Sequence, residues 1–190
     1  MNNIVVQNKI YTKPQDLSRD DLFEQLFEKY HVGIYSMCWR YTQSEQDAQD
    51  LTQEIYVLIY RKIQEFRGES SLSTWIYRIA LNKIYESRRS TLKHKTISMD
   101  DSVSNCMDLN PHDEYKKYEL SLDISRAVAN LPEKYQSVIE LYYYQDLAQK
   151  DISIILEIPL KTVETRLKRA KDKLESILST HGIGEEYLYG

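Results

Sequence analysis

The segment from Asp146 to Lys173 restricts the fold of this chain most, because its apolar residues repeat with a helical period on both sides of a proline. After Pro159 the apolar side chains recur at intervals of three and four, which is typical of one buried helical stripe. The stripe comprises Val163, Leu167, Ala170, Leu174 and Ile177. The sequence therefore predicts a helix, a short turn closed by Pro159, and a second helix, which is the pattern of a helix-turn-helix.

The second of these helices carries a basic surface away from its apolar stripe. Between positions 161 and 173 there are six basic and two acidic residues, a net charge of +4 in a chain whose overall charge is −4. A helix-turn-helix with a basic second helix suits insertion into the major groove of DNA. The alternative is a helical hairpin whose lysine and arginine side chains are merely solvated.

Composition favours an all-helical protein without a metal or cofactor. Only 5 glycines and 4 prolines occur in 190 residues, so there are few signals for turns. Cys38 and Cys106 form no zinc pattern, and the four histidines are scattered. No signal peptide or long apolar run is present, which predicts a cytoplasmic location.

The periodicity predicts two small helical domains joined by an acidic linker. Residues 97–114 contain five acidic residues and no lysine or arginine, so they are too polar to build a core. We expect a loose N-terminal lead at 1–18, a first domain at 19–92, a linker at 93–114, a second domain at 115–179 and a tail at 180–190.

Apolar stripes and capping residues predict the individual helices. Ser44 followed by Asp47 resembles a capping box, and Ser73 or Thr74 could cap a third helix. In the first domain the stripes comprise Leu22, Leu26, Tyr30 and Ile34, then Leu51, Ile55, Leu58, Ile59 and Ile63, then Ile76, Ile79, Ala80 and Ile84. In the second domain a stripe of Leu120, Ile124, Val128 and Leu131 precedes a helix predicted from Glu133 to Tyr144.

Charge is divided by position within the first domain. Residues 20–54 carry eight acidic and two basic residues, whereas residues 78–95 carry six basic and one acidic. This division predicts one face that meets a basic protein surface and another that meets nucleic acid.

Two segments resemble the extracytoplasmic-function (ECF) class of bacterial RNA polymerase sigma factors. Residues 47–89, which include the run FRGESSLSTWIYRIA, resemble region 2 of that family, and residues 131–174 resemble region 4. With the intervening segments the resemblance covers about residues 20–178. It implies a protein that is not an enzyme, binds core RNA polymerase and recognises promoter DNA at the −35 and −10 elements. It also implies an anti-sigma partner and a linker that threads toward the RNA exit path, where its acids would mimic RNA. The alternative for the linker is an ordinary solvated segment.

The resemblance assigns polymerase binding to the start of the second helix. The residues that would dock on the clamp helices of the largest subunit are Asp47, Asp50, Gln53 and Glu54. Acidic side chains there would complement a basic coiled-coil surface. The alternative is a helix N-terminus rich in acids for dipole reasons, which accounts for Asp47 and Asp50 but not for Gln53.

The resemblance assigns −10 recognition to a loop and to the helix that follows it. The residues are Arg67, Gly68, Glu69, Ser70, Ser71, Trp75, Arg78, Asn82, Lys83, Arg88 and Arg89. A short polar loop ending near Ser73 could capture a flipped base, and Arg, Lys and Asn could hold phosphates or read a base edge. Without the resemblance the loop would be a simple connector. Trp75 fits the core and a stacking platform equally well.

The resemblance assigns −35 recognition to the second helix of the helix-turn-helix. The residues are Lys161, Thr162, Glu164, Thr165, Arg166, Lys168 and Arg169. Thr165, Lys168 and Arg169 are the first candidates for groove contacts, because they project away from the stripe. Arg166 could instead pair with Thr162 or Glu133.

The chain departs from the family pattern at three positions. The family often has glycine near Asp146 and Glu157, where φ turns positive, so this turn is expected either to bend differently or to carry roughly 1 kcal/mol of strain. Glu164 stands where a basic residue is common, and it could accept a hydrogen bond from a cytosine amine.

The sequence leaves two alternative functions open. One is a stand-alone helix-turn-helix regulator that binds duplex DNA as a dimer, and the other is a helical adaptor that binds only protein.

Overall fold

A computed structural model of the chain describes residues 18–95 and 124–180, and these residues form helices joined by short turns and loops, with no strand among them. In the first part, α1 spans Arg19–Thr42, α2 spans Glu45–Lys62 and α3 spans Leu72–Lys95. In the second part, α4 covers 124–129, α5 spans Glu133–Ile139, α6 spans Gln149–Leu156 and α7 spans Leu160–Thr180. The all-helical prediction is confirmed. The predictions for the lead, for most of the linker, for Leu120 and for the tail lie outside the described residues.

Helices α1, α2 and α3 pack around one apolar core, which contains most of the predicted stripe residues. Leu26, Ile34, Ile55, Ile59 and Ile76 are each at most 1% exposed. Among the predicted stripe positions, Leu58 and Ile79 are only partly buried. Between α2 and α3 the chain makes a short 3-10 turn at Ile63–Glu65, followed by an exposed loop. This packing leaves the polar faces of α2 and α3 outward.

Serine side chains cap each of these three helices. The Ser18 hydroxyl accepts from the Asp21 N–H at the start of α1. The Ser44 hydroxyl accepts from the Asp47 N–H at the start of α2, and this second cap was predicted. The predicted cap of α3 was wrong by a few residues. Ser71 caps that helix, with its hydroxyl 3.1 Å from the Thr74 N–H, because α3 begins at Leu72, so that Ser73 and Thr74 already lie inside it.

In the second domain, α5 and α7 pack together over a core that includes Val138, Val163 and Leu178. The predicted helix from Glu133 to Tyr144 does not continue as one α-helix. It is α-helical to Ile139 and then widens into a π turn over Glu140–Tyr144, where the Gln145 N–H donates to the Glu140 carbonyl. An i→i+5 bond of this kind widens the helix and is frequent at functional sites.

Three of the described residues with side chains adopt the left-handed conformation that usually selects glycine. Gln43, which ends α1, has φ +55°, and in the second domain Asp146 has φ +50° and Glu157 has φ +53°. Glu157 ends α6 and lies in the turn before Pro159. The backbone therefore keeps the bend expected of the family and carries the strain, rather than bending differently.

The two domains contact each other through α3 and α6 and through a buried ion pair. Arg40 of α1 donates to both carboxylate oxygens of Glu140, at 2.7 and 2.6 Å, although the two residues are 100 positions apart. Within the described ranges, no helix is long and apolar enough to cross a membrane.

Candidate nucleic-acid interface

Helix α7 buries one face and exposes a basic one, as its sequence period predicts. Val163, Leu167 and Ala170 are buried, whereas the candidates for −35 contacts are exposed or half-buried on the other side. The exposed candidates are Lys161, Glu164, Thr165, Lys168 and Arg169, and the half-buried ones are Thr162 and Arg166. The seven predicted residues therefore share one continuous surface that a duplex could reach.

Short-range contacts order this surface. The Lys161 ammonium lies 3.1 Å from the Glu164 carboxylate, and the Thr165 hydroxyl donates to the Lys161 carbonyl at 2.8 Å. The positive charge of Lys161 thus partly offsets the negative charge of Glu164, which reduces the repulsion between this acid and a phosphate. Arg166 pairs with neither Thr162 nor Glu133 among the residues that the structure places, so its predicted structural role has no support.

The turn before α7 is fixed by hydrogen bonds that do not depend on glycine. The Ser153 hydroxyl donates to the Ile158 carbonyl at 2.6 Å, and the Ile158 N–H donates back to the Ser153 carbonyl at 3.2 Å. Pro159 then accepts from the N–H groups of Thr162 and Val163 and starts α7. These bonds hold the two helices at a set angle despite the left-handed Glu157.

The loop predicted to capture a −10 base is exposed and has space around its glycine. Gly68 has φ +72°, and a β-carbon added there would meet nothing within 4 Å. Ser71 joins the loop to α3 through hydroxyl contacts with Ser73 and Thr74. Trp75 is half-buried against the core, and its ring lies 5.5 Å from that of Phe66.

The basic residues of α3 are engaged to different degrees. Asn82 and Arg89 are exposed, whereas Lys83 lies 2.9 Å from the Glu54 carboxylate and 3.4 Å from that of Glu86. The hydrogen bond to Glu54 raises the pKa of the Lys83 ammonium above its ordinary value. Lys83 therefore joins the predicted DNA-binding face of α3 to the predicted polymerase-binding face of α2 through its ion pair with Glu54.

The predicted polymerase-binding residues share the outer face of α2. Asp47, Asp50, Gln53 and Glu54 are all exposed. The same face continues into Val57, an apolar side chain that is 48% exposed and that sequence reasoning missed. Val57 could have been recognised from the sequence as an apolar residue outside the Leu51–Ile63 stripe. An exposed apolar group beside a row of charges often marks a protein contact.

A group of buried polar residues between the domains was also missed. Glu140 is fully buried, and its carboxylate accepts from Arg40 and from the Gln145 side chain, while the Arg40 guanidinium lies 3.9 Å from the centre of the Tyr144 ring. Gln145 also donates to the Gly33 carbonyl at 3.4 Å. The available signal was Arg40 itself, a charge within the apolar run from Met37 to Tyr41, because a buried charge requires a partner.

Other contacts between the domains involve predicted −10 residues. The Arg78 guanidinium donates to the Ile154 carbonyl and lies 3.8 Å from the Glu157 carboxylate. Arg88 donates to the Gln136 side chain at 2.9 Å. The structure therefore brings Arg78 and Arg88 against the second domain, rather than leaving them free as a DNA surface.

Comparison with known proteins adds two family models and several relatives. Residues 26–93 match the model of sigma-70 region 2, and residues 121–174 match that of sigma-70 region 4. The chain is 32% identical over 169 residues to the ECF RNA polymerase sigma factor SigW of Bacillus subtilis, covering 83% of this chain and 89% of the relative. It is also 32% identical over 165 residues to the ECF RNA polymerase sigma-E factor of Haemophilus influenzae, covering 81% of this chain and 86% of the relative.

Two solved structures share the fold at lower identity. The sigma factor RpoE of Bartonella quintana, in complex with the anti-sigma factor NepR, aligns with a TM-score of 0.69 at 18% identity, over 84% of this chain and 98% of that one. CnrH in complex with the cytosolic domain of CnrY aligns with a TM-score of 0.64 at 21% identity, over 85% and 90%.

Proposed function

Since this chain belongs to the ECF class of the sigma-70 family of RNA polymerase sigma factors, we propose a specific role in initiation for each of its surfaces. The outer face of α2 binds core polymerase, the loop before α3 and the basic face of α3 hold the single-stranded −10 element, and α7 reads the −35 duplex. The observation that carries the proposal is the separation of charge, with an acidic face on α2 and basic faces on α3 and α7.

The polymerase contact is assigned to Asp47, Asp50, Gln53 and Glu54, with Val57 as an apolar addition. Their exposure on one helical face and their negative charge suit a basic coiled-coil partner such as the clamp helices. Val57 would lose contact with water on docking, and buried apolar area supplies much of the affinity of such interfaces.

The DNA contacts divide into positioning and sequence recognition. On α7, Lys168 and Arg169 suit phosphate or guanine contacts, Thr165 suits a base edge, and Glu164 suits a cytosine amine. On the −10 side, the open space around Gly68 suits an extruded base, and Arg89 suits the strand backbone. Residues 19–92 and 115–179 are the two domains that carry these contacts, and 93–114 is the linker.

The chain acts in the cytoplasm as an initiation factor without catalytic chemistry of its own. The sigma factor RpoE of Bartonella quintana is in complex with the anti-sigma factor NepR in its solved structure, and CnrH is in complex with the cytosolic domain of CnrY. We assign an anti-sigma partner to this chain on the same basis, with both DNA-binding domains as the surface to be covered.

The test is run-off transcription with purified core polymerase and a genomic promoter library. The wild-type chain is expected to give transcripts whose start sites share one spacing from common upstream elements. Charge reversal at Asp50 and Glu54 should abolish co-purification with core, whereas reversal at Lys168 and Arg169 should retain core binding and abolish transcripts. Lys29→Glu, an exposed reversal on α1, is the control. A wild-type chain that neither binds core nor directs transcripts would overturn the proposal.

A further inference from the structure

The two flanks of α7, on either side of its exposed outer face, differ in charge. The flank toward α5 carries three cations and no acid, in a line a quarter-turn from the buried stripe: Thr162, Arg166, Arg169 and Lys173. The opposite flank carries two acids and one cation: Glu164, Lys171 and Glu175. A helix about 10–12 Å wide nearly fills a major groove about 12 Å wide, so both flanks approach the phosphates that border the groove. The charges favour close approach on the α5 side only.

Helix α5 lies beside this cationic flank and forms a cleft with it. The start of α5 supplies Lys134 and Tyr135, and α7 supplies the cations Lys161, Arg166 and Arg169 together with two threonine side chains. None of the described residues that line the cleft is acidic. Its volume of about 260 Å³ is several times the ~30 Å³ that one water occupies in the liquid, so a phosphate group has room in it. The cleft therefore has the charge and the size of an anion site.

Most of the cations in the cleft lack a counter-ion. Lys161 is paired with Glu164, but within residues 18–95 and 124–180 the side chains of Lys134, Arg166 and Arg169 have no ion-pair partner. The Lys134 ammonium lies 5.1 Å from the centre of the Tyr135 ring, and the Lys173 ammonium lies 6.0 Å from the same centre. Like charges gathered at one place repel each other, and an anion bound among them relieves that repulsion.

On these grounds, and resting on the proposed role of α7 in −35 recognition, we propose that the cleft between α5 and α7 binds a backbone phosphate of the −35 duplex. Lys134 and Arg166 hold this phosphate from two different helices, while the outer face of α7 meets the base edges. The site extends the DNA surface to Lys134, which lies outside the helix-turn-helix. It also makes Arg166 a residue that fixes the position of the duplex and not one that reads its sequence.

The variants Lys134→Ala and Arg166→Gln, singly and together, test the site in the full-length chain. Neither native side chain has a hydrogen bond or ion pair among the described residues, so both helices should stay folded, which circular dichroism checks. Binding to short labelled duplexes is measured by fluorescence anisotropy over a range of salt. Lys29→Ala is the matched control, because Lys29 is also an exposed lysine beside a tyrosine, 5.3 Å from the centre of the Tyr30 ring, but on α1.

The salt dependence should report the loss of one phosphate contact. In the double variant the slope of log affinity against log salt should fall by about 0.9 in total, because both side chains hold the same phosphate. Affinity should fall about tenfold for the mapped −35 duplex and for a random-sequence duplex alike, so that their ratio stays within about twofold. The control should leave both the slope and the affinity unchanged.

Neutral methylphosphonate, placed in turn at each backbone position of the mapped −35 duplex, locates the phosphate. At one position the substitution should weaken binding of the wild type and of the control about tenfold, but binding of the double variant less than about twofold. The reason is that the double variant has already lost the contact which the neutral group removes.

Four results would overturn the phosphate site. They are an unchanged slope in the double variant, a slope lowered by about 1.8, a loss of affinity confined to the mapped element, and a scan in which no position is relieved in the double variant. If Lys168→Ala weakens duplex binding and the wild type directs transcripts while the double variant binds normally, the proposed function stands and the phosphate site fails. If the double variant behaves as expected on random-sequence duplex but the wild type directs no transcripts, the phosphate site stands and the proposed function fails.

Discussion

Replacing Arg40 with methionine is expected to destabilise the packed form strongly, because it strands a fully buried carboxylate. Glu140 is 0% exposed and would keep only the Gln145 side chain as a donor. Breaking a buried ion pair from one side costs about 3–5 kcal/mol, and this geometry, with two short bonds to one carboxylate, belongs at the upper part of that range.

The reverse substitution should cost less. Glu140→Met leaves a guanidinium that is 9% exposed and lies over the Tyr144 ring, so Arg40 can turn toward water and keep part of its stabilisation. We expect a loss of about 2–4 kcal/mol. The double variant contains no stranded charge and fills the space with two apolar side chains, so its loss should be about 1 kcal/mol or less.

Urea unfolding followed by circular dichroism measures these differences, and the four proteins form a double-mutant cycle. The expected coupling energy between Arg40 and Glu140 is about 4 kcal/mol or more, because the two single losses together far exceed the loss of the double variant. Small-angle X-ray scattering on the same samples shows whether the two domains of each variant are still packed against each other. A single variant that stays packed and yet loses less than about 1 kcal/mol would refute the reasoning, because a charge would then be buried without a partner and without cost.

Three further predictions concern single sites. Glu157→Gly should raise the free energy of unfolding by about 0.5–1 kcal/mol in calorimetry, since relief of the left-handed strain exceeds the added entropy of the unfolded chain; a lower melting temperature would contradict this. Lys168→Ala and Arg169→Ala should each weaken −35 duplex binding and lower the slope of log affinity against log salt by about 0.9, and an unchanged slope would exclude a phosphate contact. In a Cys106→Ser background the Cys38 thiol should resist Ellman's reagent at pH 8, because burial raises its pKa to about 11. Burial of the neutral Cys38 thiol contributes fully to the free energy of unfolding below its ordinary pKa of 9.0, and this contribution declines as the pH rises toward 11. Reaction with Ellman's reagent at the rate of a free thiol would disprove the burial.

Much of the architecture is visible in the sequence because it depends on local patterns. The stripes of α1 and α7 and the Ser44 cap each follow from residues a few positions apart, and the structure contains them as predicted. The strain at Asp146 and Glu157 was also foreseeable, since the turn needs positive φ and the chain has no glycine there.

The features that the sequence did not predict are one local turn and the contacts between the two domains. The periodicity of the Glu133–Tyr144 segment could not reveal the π turn, because the hydrogen bonds of an α-helix and of a π turn differ in spacing by only one residue and both would bury Leu141. The pairing of Arg40 with Glu140 joins positions that no local pattern connects. For the same reason the engagement of Arg78 by the second domain was not foreseen, although its role as a basic residue of α3 was.

The contact between the domains differs in one respect from a contact between two proteins: its partners cannot be diluted apart. Both halves belong to one chain, so the local concentration of one around the other is set by the length of the connecting residues 96–123 and is typically in the millimolar range for short tethers. An interface too weak to assemble from separate molecules at cellular levels is therefore mostly formed within this chain. The fraction of molecules in which the two domains are in contact is consequently independent of how much of the protein is made, and a competitor for one of the two surfaces lowers it.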